Sequence, residues 1–347
     1  MKSITIGMDI GDKKNSVCVI GKDGKVIKTS GVANNMKSIE KFFSRYTGAT
    51  IAIESGSHSP WISRKLKDLG LKVLVANPRK LRMIYTSTNK SDILDAEALA
   101  RTARFDAKLL YPISHRGEQA QVDLNLLKAR DMLVKVRSSL VNHVRGAVKS
   151  LGYRIPSCST ESFPKRASIP DSLREALNPV INEIERLTKK IKEYDVKIES
   201  ISNERYPETQ LLRHIKGVGP VTSLAYVLTI EDKGRFQKSR QVGKFLGLTP
   251  RRDQSGETDK QLRITKEGNQ YLRQLLVNCS HYILGPFGEE SDLRNYGLRI
   301  CGRGGKITKR KAVVAVARKL SVLLHRLWVT GEVYEPFYTR SEMKKAV

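Results

Sequence analysis

The chain has 347 residues, with 63 Lys and Arg against 35 Asp and Glu, a formal charge of +28 and a pI of about 10.0. At 39% hydrophobic residues it can fill real cores, which excludes a disordered basic tail, and its length suggests two or three domains. The charge excess is shared evenly on either side of Glu204, so more than one module is expected to face a polyanion.

No stretch approaches the ~18 to 20 consecutive apolar residues of a membrane span, and the start at Lys2 runs straight into a strand-like segment, so neither a leader nor an anchor is expected. Aromatic residues make up only 6%, too few for a basic amphipathic helix with a Trp/Phe face, and nucleic acid is the better partner than an anionic membrane. Cys18, Cys158, Cys279 and Cys301 form no Cys-x-x-Cys pair and the six His are dispersed. That spacing argues against a disulfide framework or a structural zinc site and fits a reduced, intracellular protein.

In chain order, Ile4–Ile10 alternates, and Asn15–Ile20 and Val26–Ser30 read as two more strands separated by Gly-containing turns. A helical stretch Met36–Tyr46 follows, then a strand Thr50–Glu54, a helix Pro60–Leu69, a strand Leu71–Ala76, a helical segment after Pro78 and a helix Ser91–Arg104. This order predicts a mixed α/β domain over residues 1–108. Over 115–204 two heptad seams predict long helices joined by a linker, 152–177. The first runs through Val122, Leu126, Ala129, Leu133, Val136, Leu140 and Ala147 with the polar His143 in the seam. The second begins after Asn178-Pro179, a capping pair, and runs through Val180, Ile184, Leu187, Ile191, Tyr194, Ile198 and Ile201. The two could fold back on each other or pair with a second protomer. Residues 205–338 read as a Gly-punctuated, mainly α domain, and 339–347 as a polar tail.

Four carboxylates of the first domain could converge: Asp9 on the first strand, Glu54 ending the fourth, and Asp92 and Asp95 on one face of the last helix. Four negative charges in one cleft need a counter-charge, and a pair of Mg²⁺ ions supplies it through the oxygen ligands Mg²⁺ prefers. Two such ions can clamp the attacking and leaving oxygens of a phosphodiester. In the last domain, Arg213, Lys216, Gly217 and Gly219 form a helix-hairpin-helix pattern in which glycine lets backbone N–H groups approach a phosphate. Next, Arg251 and Arg252 offer planar forks for phosphate ahead of Ser255-Gly256, where no His is placed to act as a base in the manner of a hydrolase triad. A metal could nevertheless position the Ser255 hydroxyl. Finally, Gly302–Leu320 holds seven basic residues, including Arg303, Lys306, Lys309 and Arg310, and no acid, so the phosphate backbone is its natural partner.

Together these residues resemble the IS110 family of insertion-sequence transposases, also called DEDD recombinases, over nearly the whole chain. The resemblance rests on Gly7-Met8-Asp9, Ile53-Glu54-Ser55-Gly56, Lys90-Ser91-Asp92-Ile93-Leu94-Asp95-Ala96, Ile215-Lys216-Gly217-Val218-Gly219, and Phe245–Arg252 followed by Ser255-Gly256. It implies a RuvC-like, ribonuclease-H-type domain whose metal-binding tetrad is Asp9, Glu54, Asp92 and Asp95, with Mg²⁺ or Mn²⁺, and a transposase domain whose nucleophile is Ser255. Cleavage then leaves a 5′-phosphoserine link to DNA, and strands are exchanged and rejoined. The resemblance further implies donor and target DNA duplexes and a structured guide RNA as partners. It also implies a dimer or tetramer in which tetrad and serine meet across protomers, and a place at the nucleoid of a bacterial or archaeal cytoplasm. Thr258 is the nearest alternative hydroxyl. Three other readings stand beside it: an inverting recombinase of the same superfamily, a hydrolytic junction nuclease using the tetrad and water, and a non-catalytic binding protein.

Overall fold

A computed structural model describes residues 4–81 and 91–337. The chain forms two compact units, Met1–Gly117 and Glu118–Val347.

The first unit contains β1 (Thr5–Asp9), β2 (Lys14–Ile20), β3 (Val26–Ala33), α1 (Met36–Phe43), β4 (Thr50–Glu54), α2 (Ser59–Asp68), β5 (Lys72–Ala76) and α3 (Asp92–Phe105). The helical segment expected after Pro78 falls mainly on 82–90, outside the described residues. The strands form one sheet in the order β3-β2-β1-β4-β5. Its first three strands are an antiparallel meander, while β4 runs parallel to β1 and β5 parallel to β4.

Alternation along each strand sorts side chains to two buried faces. On one, Ile6, Met8, Val17, Val19, Ile51 and Ile53 pack with Ile39 and Phe43 of α1 and Ile62 and Leu66 of α2. On the other, most of the residues in between are small, and α3 lies against them: Cys18 and Ile20 meet Ala96 and Ala100, and Ala52 and Ala76 meet Leu99. The approach is closest at Gly7, where a Cβ would lie 1.9 Å from the Ala96 carbonyl oxygen and 2.6 Å from the Ala100 nitrogen. Ser91 caps α3, its hydroxyl accepting from the Leu94 N–H at 3.3 Å.

The second unit opens with two long helices, α4 (Glu118–Ser150) and α6 (Asp171–Arg205), with the one-turn α5 (Phe163–Arg166) between them. The long helices fold back on each other: Arg130 pairs with Asp195 at 2.6 Å, and Arg137 donates to the Thr188 hydroxyl at 3.2 Å. Two expectations are corrected here. First, the inward stripe of α4 is not the expected seam. Leu124, Leu127, Val141, Val144 and Val148 are buried, whereas Val122 is 56% and Val136 40% exposed and His143 is solvent-facing. The helix carries two apolar stripes side by side, and periodicity alone does not say which one the partner helix covers. Second, α6 starts at Asp171 and carries Pro179 in its interior instead of beginning there. An interior proline costs about 3 kcal/mol. Burial of Leu177 with Val144, Val148 and Phe163 at the far end of the hairpin offsets that cost and extends the helix two turns toward α5. Arg145 closes this end by donating to the Ile155 and Pro156 carbonyls while lying over the Phe163 ring.

The remainder comprises α7 (Glu208–Arg213), α8 (Pro220–Ile230), α9 (Arg240–Phe245), the hairpin β6 (Pro250–Ser255) and β7 (Thr258–Ile264), α10 (Gln270–Leu284), α11 (Asp292–Cys301) and α12 (Lys306–Thr330). Every residue of α8 from Thr222 to Ile230 is buried, and α10, α11 and α12 contribute to the core around it. Ala120, Leu124, Leu127 and Ile198 of the long helices belong to the same core, so the long helices and the elements after residue 205 share one compact unit although the sequence divides them. The buried Asp123 fastens this junction, accepting from the Tyr206 hydroxyl at 2.8 Å and pairing with Arg205 at 2.9 Å. Among the described residues, no helix is long and apolar enough to cross a membrane.

Candidate functional site

Asp9 and Glu54 are the last residues of β1 and β4, adjacent parallel strands in which Met8 is level with Ile53. Their carboxylates therefore sit side by side at the carboxyl ends of the central strands, where open α/β sheets hold their ligands. Asp92 and Asp95 occupy the first turn of α3, on one face and beside the helix's positive end. The contact of α3 with Gly7, two residues before Asp9, brings that turn to the strand ends.

The electrostatics agree with this placement. The Asp9 carboxyl is pushed up to about 6 by burial and then by the negative charges of Asp92, Asp95 and Glu54, with the Ile10 backbone opposing. All three other carboxylates thus act on one proton site. They do not converge as tightly as the sequence leads one to expect: among the described residues, no three His, Cys, Asp or Glu side chains are close enough to share a metal ion. Like charges hold one another apart, and Asp92 is exposed. The donor set nevertheless fits a hard divalent cation, being all carboxylate oxygen with an unbalanced negative charge.

The loops that carry the strand ends are tied down by residues the sequence did not single out. Beyond Asp9, the Asn34 side chain donates to the Gly11 and Asp12 carbonyls at 2.8 and 3.2 Å. Beyond Glu54, the His58 ring contacts the Asp12 carboxylate at 3.1 Å and accepts from the Trp61 indole at 3.3 Å. Ser59 receives the Gly56 N–H at 3.0 Å and contacts the His115 imidazole at 2.8 Å. Burial, and then Lys67, Arg116 and Arg64, lower the pKa of that imidazole. Only tertiary folding joins these residues, the Asp12–His58 and Ser59–His115 pairs being 46 and 56 positions apart.

Ser255 belongs to the other unit. It ends β6 at a two-residue turn, directly opposite Thr258. Gly256 holds φ at +54°, the first position of a II′ turn, which a side chain would strain. All of β6 after Pro250 is exposed, and Arg252 forks onto Asp259 of β7 at 2.7 and 2.5 Å, holding that carboxyl below its usual range. Arg252 is therefore engaged by a neighbouring acid that the sequence reading overlooked, while Arg251 is exposed. The hairpin's base, unlike its tip, is clamped. A Cβ on Gly247 would meet the Glu267 carbonyl oxygen at 2.2 Å, and one on Gly268 the Phe245 carbonyl oxygen at 2.0 Å. Arg273 bonds the Leu246 and Glu267 carbonyls across the same place.

The turn between α7 and α8 has Gly217 at φ +95°, and a Cβ there would press on the Tyr282 ring at 2.8 Å. Gly219 and Lys216 are exposed, the latter 3.7 Å from Glu289. Arg213 points elsewhere than expected: its guanidinium, 15% exposed, pairs with Glu199 at 2.6 Å and donates to the Ser223 hydroxyl. It fastens α6 to the α7–α8 turn. Arg303, Lys306, Lys309 and Arg310 are all exposed at and before the start of α12.

Comparison with known proteins bears on both units. A family model described as a transposase (DEDD_Tnp_IS110) matches residues 6–152, and one described as the transposase IS116/IS110/IS902 family matches 209–291. The transposase for insertion sequence element IS1111A of Coxiella burnetii is 28% identical over 344 residues, 96% of this chain and 92% of the relative. The transposase for insertion sequence element IS1328 of Yersinia enterocolitica is 25% identical over 336 residues, 95% of this chain and 97% of the relative. A shorter match, 31% identical over 111 residues and covering 32% of this chain and 33% of the relative, is to the pilin gene-inverting protein of Moraxella lacunata.

Proposed function

The chain belongs to the IS110 family of insertion-sequence transposases, and from that premise we propose that it is a metal-dependent DNA recombinase using Asp9, Glu54, Asp92 and Asp95 together with the nucleophile Ser255. The observation that carries this reading is the placement of Asp9 and Glu54 at the ends of the adjacent strands β1 and β4 with Asp92 and Asp95 in the first turn of α3, where burial and then those three carboxylates push the Asp9 carboxyl up to about 6. The strand order supports a ribonuclease-H-type, RuvC-like domain, and the α7–turn–α8 element supports a helix-hairpin-helix contact with phosphate through Lys216, Gly217 and Gly219. Residues Arg251, Arg303, Lys306, Lys309 and Arg310 are the cations available for the backbone of donor and target duplexes and of a guide RNA.

Asp9, Glu54, Asp92 and Asp95 would hold Mg²⁺ or Mn²⁺, which supplies positive charge to the phosphoryl oxygens and to the departing oxygen. The Ser255 oxygen forms a bond to phosphorus as the bond from phosphorus to the 3′ oxygen breaks. The serine gives up its proton and the 3′ oxygen gains one. The ester that results retains a phosphoryl group for rejoining, which attack by water would forfeit. The stripe Val122, Met132 and Val136, exposed along α4, gives a second copy an apolar face to cover, consistent with a dimer or tetramer.

The test is covalent capture of element-end DNA in the presence of Mg²⁺. Ser255→Ala and Asp9→Asn should each abolish the protein–DNA adduct while Thr258→Ala retains it. Adducts in the Ser255→Ala protein would refute the assigned nucleophile, and cleaved DNA with free ends alone would show a hydrolytic nuclease. The inverting-protein relative favours one second reading, an enzyme that inverts a segment between fixed sites. Capture that survives ribonuclease treatment would select it.

A further inference from the structure

One face of α12 lines a recess. Residues 315, 318, 319, 322, 323 and 326 recur at helical spacing and, with α11 and Arg240 of α9, enclose a cleft of about 510 Å³. Leu293, Val322 and Leu323 give its lining an apolar part. Cations line it: Arg240, Arg318, Lys319 and Arg326 stand against the single lining acid, Asp292, with Arg326 also 3.3 Å from Glu332. Tyr296 also lines the cleft, and the Lys319 ammonium lies 3.8 Å from its ring centroid. Burial, followed by the nearby Arg299 charge, lowers the Lys319 pKa, with Asp292 opposing, so positive charge is crowded here.

The composition of this cleft selects its ligand. Phosphate alone needs cations but no apolar lining, and a duplex keeps its bases stacked and out of reach of a recess. A recess of several hundred Å³ lined by both apolar and polar groups is the form that holds a compact, partly flat molecule. Arginine planes and aromatic rings are what proteins place against unstacked bases. We propose that the cleft between α9, α11 and α12 receives one unpaired nucleotide of a bound strand, its base on Leu293, Val322 and Leu323 and its phosphate on Arg240, Arg318 and Lys319. This inference rests on the reading of the protein as acting on nucleic acid. It adds a site for single-stranded character, separate from the exposed cations at 303–310.

The test uses the full-length protein in EDTA, so that strand cleavage plays no part, and reads fluorescence anisotropy of labelled oligothymidylate, oligouridylate and a blunt DNA duplex. Arg240→Ala, an exposed change, and Arg318→Ala should each weaken single-strand binding on the order of tenfold and duplex binding less than about twofold. Loss confined to the thymidylate or to the uridylate supports the site and identifies its source as DNA or RNA, and loss on both supports it for either strand. Equal weakening on duplex and single strand, or no weakening with Arg240→Ala, overturns the proposal. Because Arg318 packs its stem against Gly243, its variant is read alongside Arg240→Ala and a thermal melt. Failure of the Ser255 adduct assay with this binding pattern intact would refute the catalytic reading and leave the nucleotide site standing. A wild-type protein that binds none of the three probes would refute both.

Discussion

Asp9 holds its proton to about 6 while an unfolded chain would release it near the ordinary aspartate value of 3.8. Between those values the native state binds more protons than the unfolded state, so stability falls as pH rises through that window, and the penalty is fully present above it. Asp9→Asn removes a half-buried charge while keeping the shape. The variant should therefore melt at a higher temperature than the wild type at pH 7 in EDTA, and the gap should close as pH is taken below about 4. Adding Mg²⁺ or Mn²⁺ should raise the melting temperature of the wild type and leave that of Asp9→Asn nearly unchanged, since a ligand that binds only the folded state stabilises it. A wild type insensitive to both cations would remove the metal from the proposed chemistry.

At the scale of elements, α3 is held at a distance set by an absent side chain. Gly7→Ala puts a methyl group where the helix backbone of Ala96 and Ala100 already lies, and neither atom is at the end of a flexible group. Overpacking of this kind costs about 1 to 3 kcal/mol. The helix would have to move away, taking Asp92 and Asp95 with it. The expected result is a lower melting temperature together with loss of covalent capture even where the protein remains folded. Full capture by Gly7→Ala would show that the position of α3 does not matter to the reaction.

The strands of this unit were legible because Ile6, Met8, Ile51 and Ile53 alternate with small residues. Gly7 could be quoted as part of a motif, but its meeting with α3 could not be foreseen, since the contact spans about ninety positions of sequence. Helix α4 differs for another reason. Its two apolar stripes are equivalent in periodicity, and tertiary contacts such as Arg130 with Asp195 and Arg137 with Thr188 decide between them. Local propensity favours Pro179 as a helix start, and the burial of Leu177 overrides it. Carboxylates at strand ends can be named from residue type and position. Arg213 and Arg252 were read as phosphate ligands because their partners, Glu199 and Asp259, come from neighbouring elements.

For the molecule as a whole, a charge of +28 makes nucleic-acid affinity a function of salt. Each lysine or arginine that neutralises a phosphate contributes about 0.9 to the slope of log K against log salt on B-DNA. Replacing Arg303, Lys306, Lys309 and Arg310 together by alanine should lower that slope by about 3 to 4 and weaken duplexes of different sequence to similar extents. A slope that is unchanged would place the phosphate contacts elsewhere on the chain.

The hairpin that carries Ser255 is two strands wide, exposed around its tip, and held at its root by Gly247, Gly268, Arg273 and the packing of Ile264 on the core. Such a ribbon has little stability of its own. Mechanically it is a cantilever with a stiff root and a compliant tip. Swinging the tip serine onto a strand needs no opening of the core around α8. The amide hydrogens of β6 and β7 should accordingly exchange with solvent faster than those of Leu246 and Leu248 at the root, and slow down when the tip engages a strand.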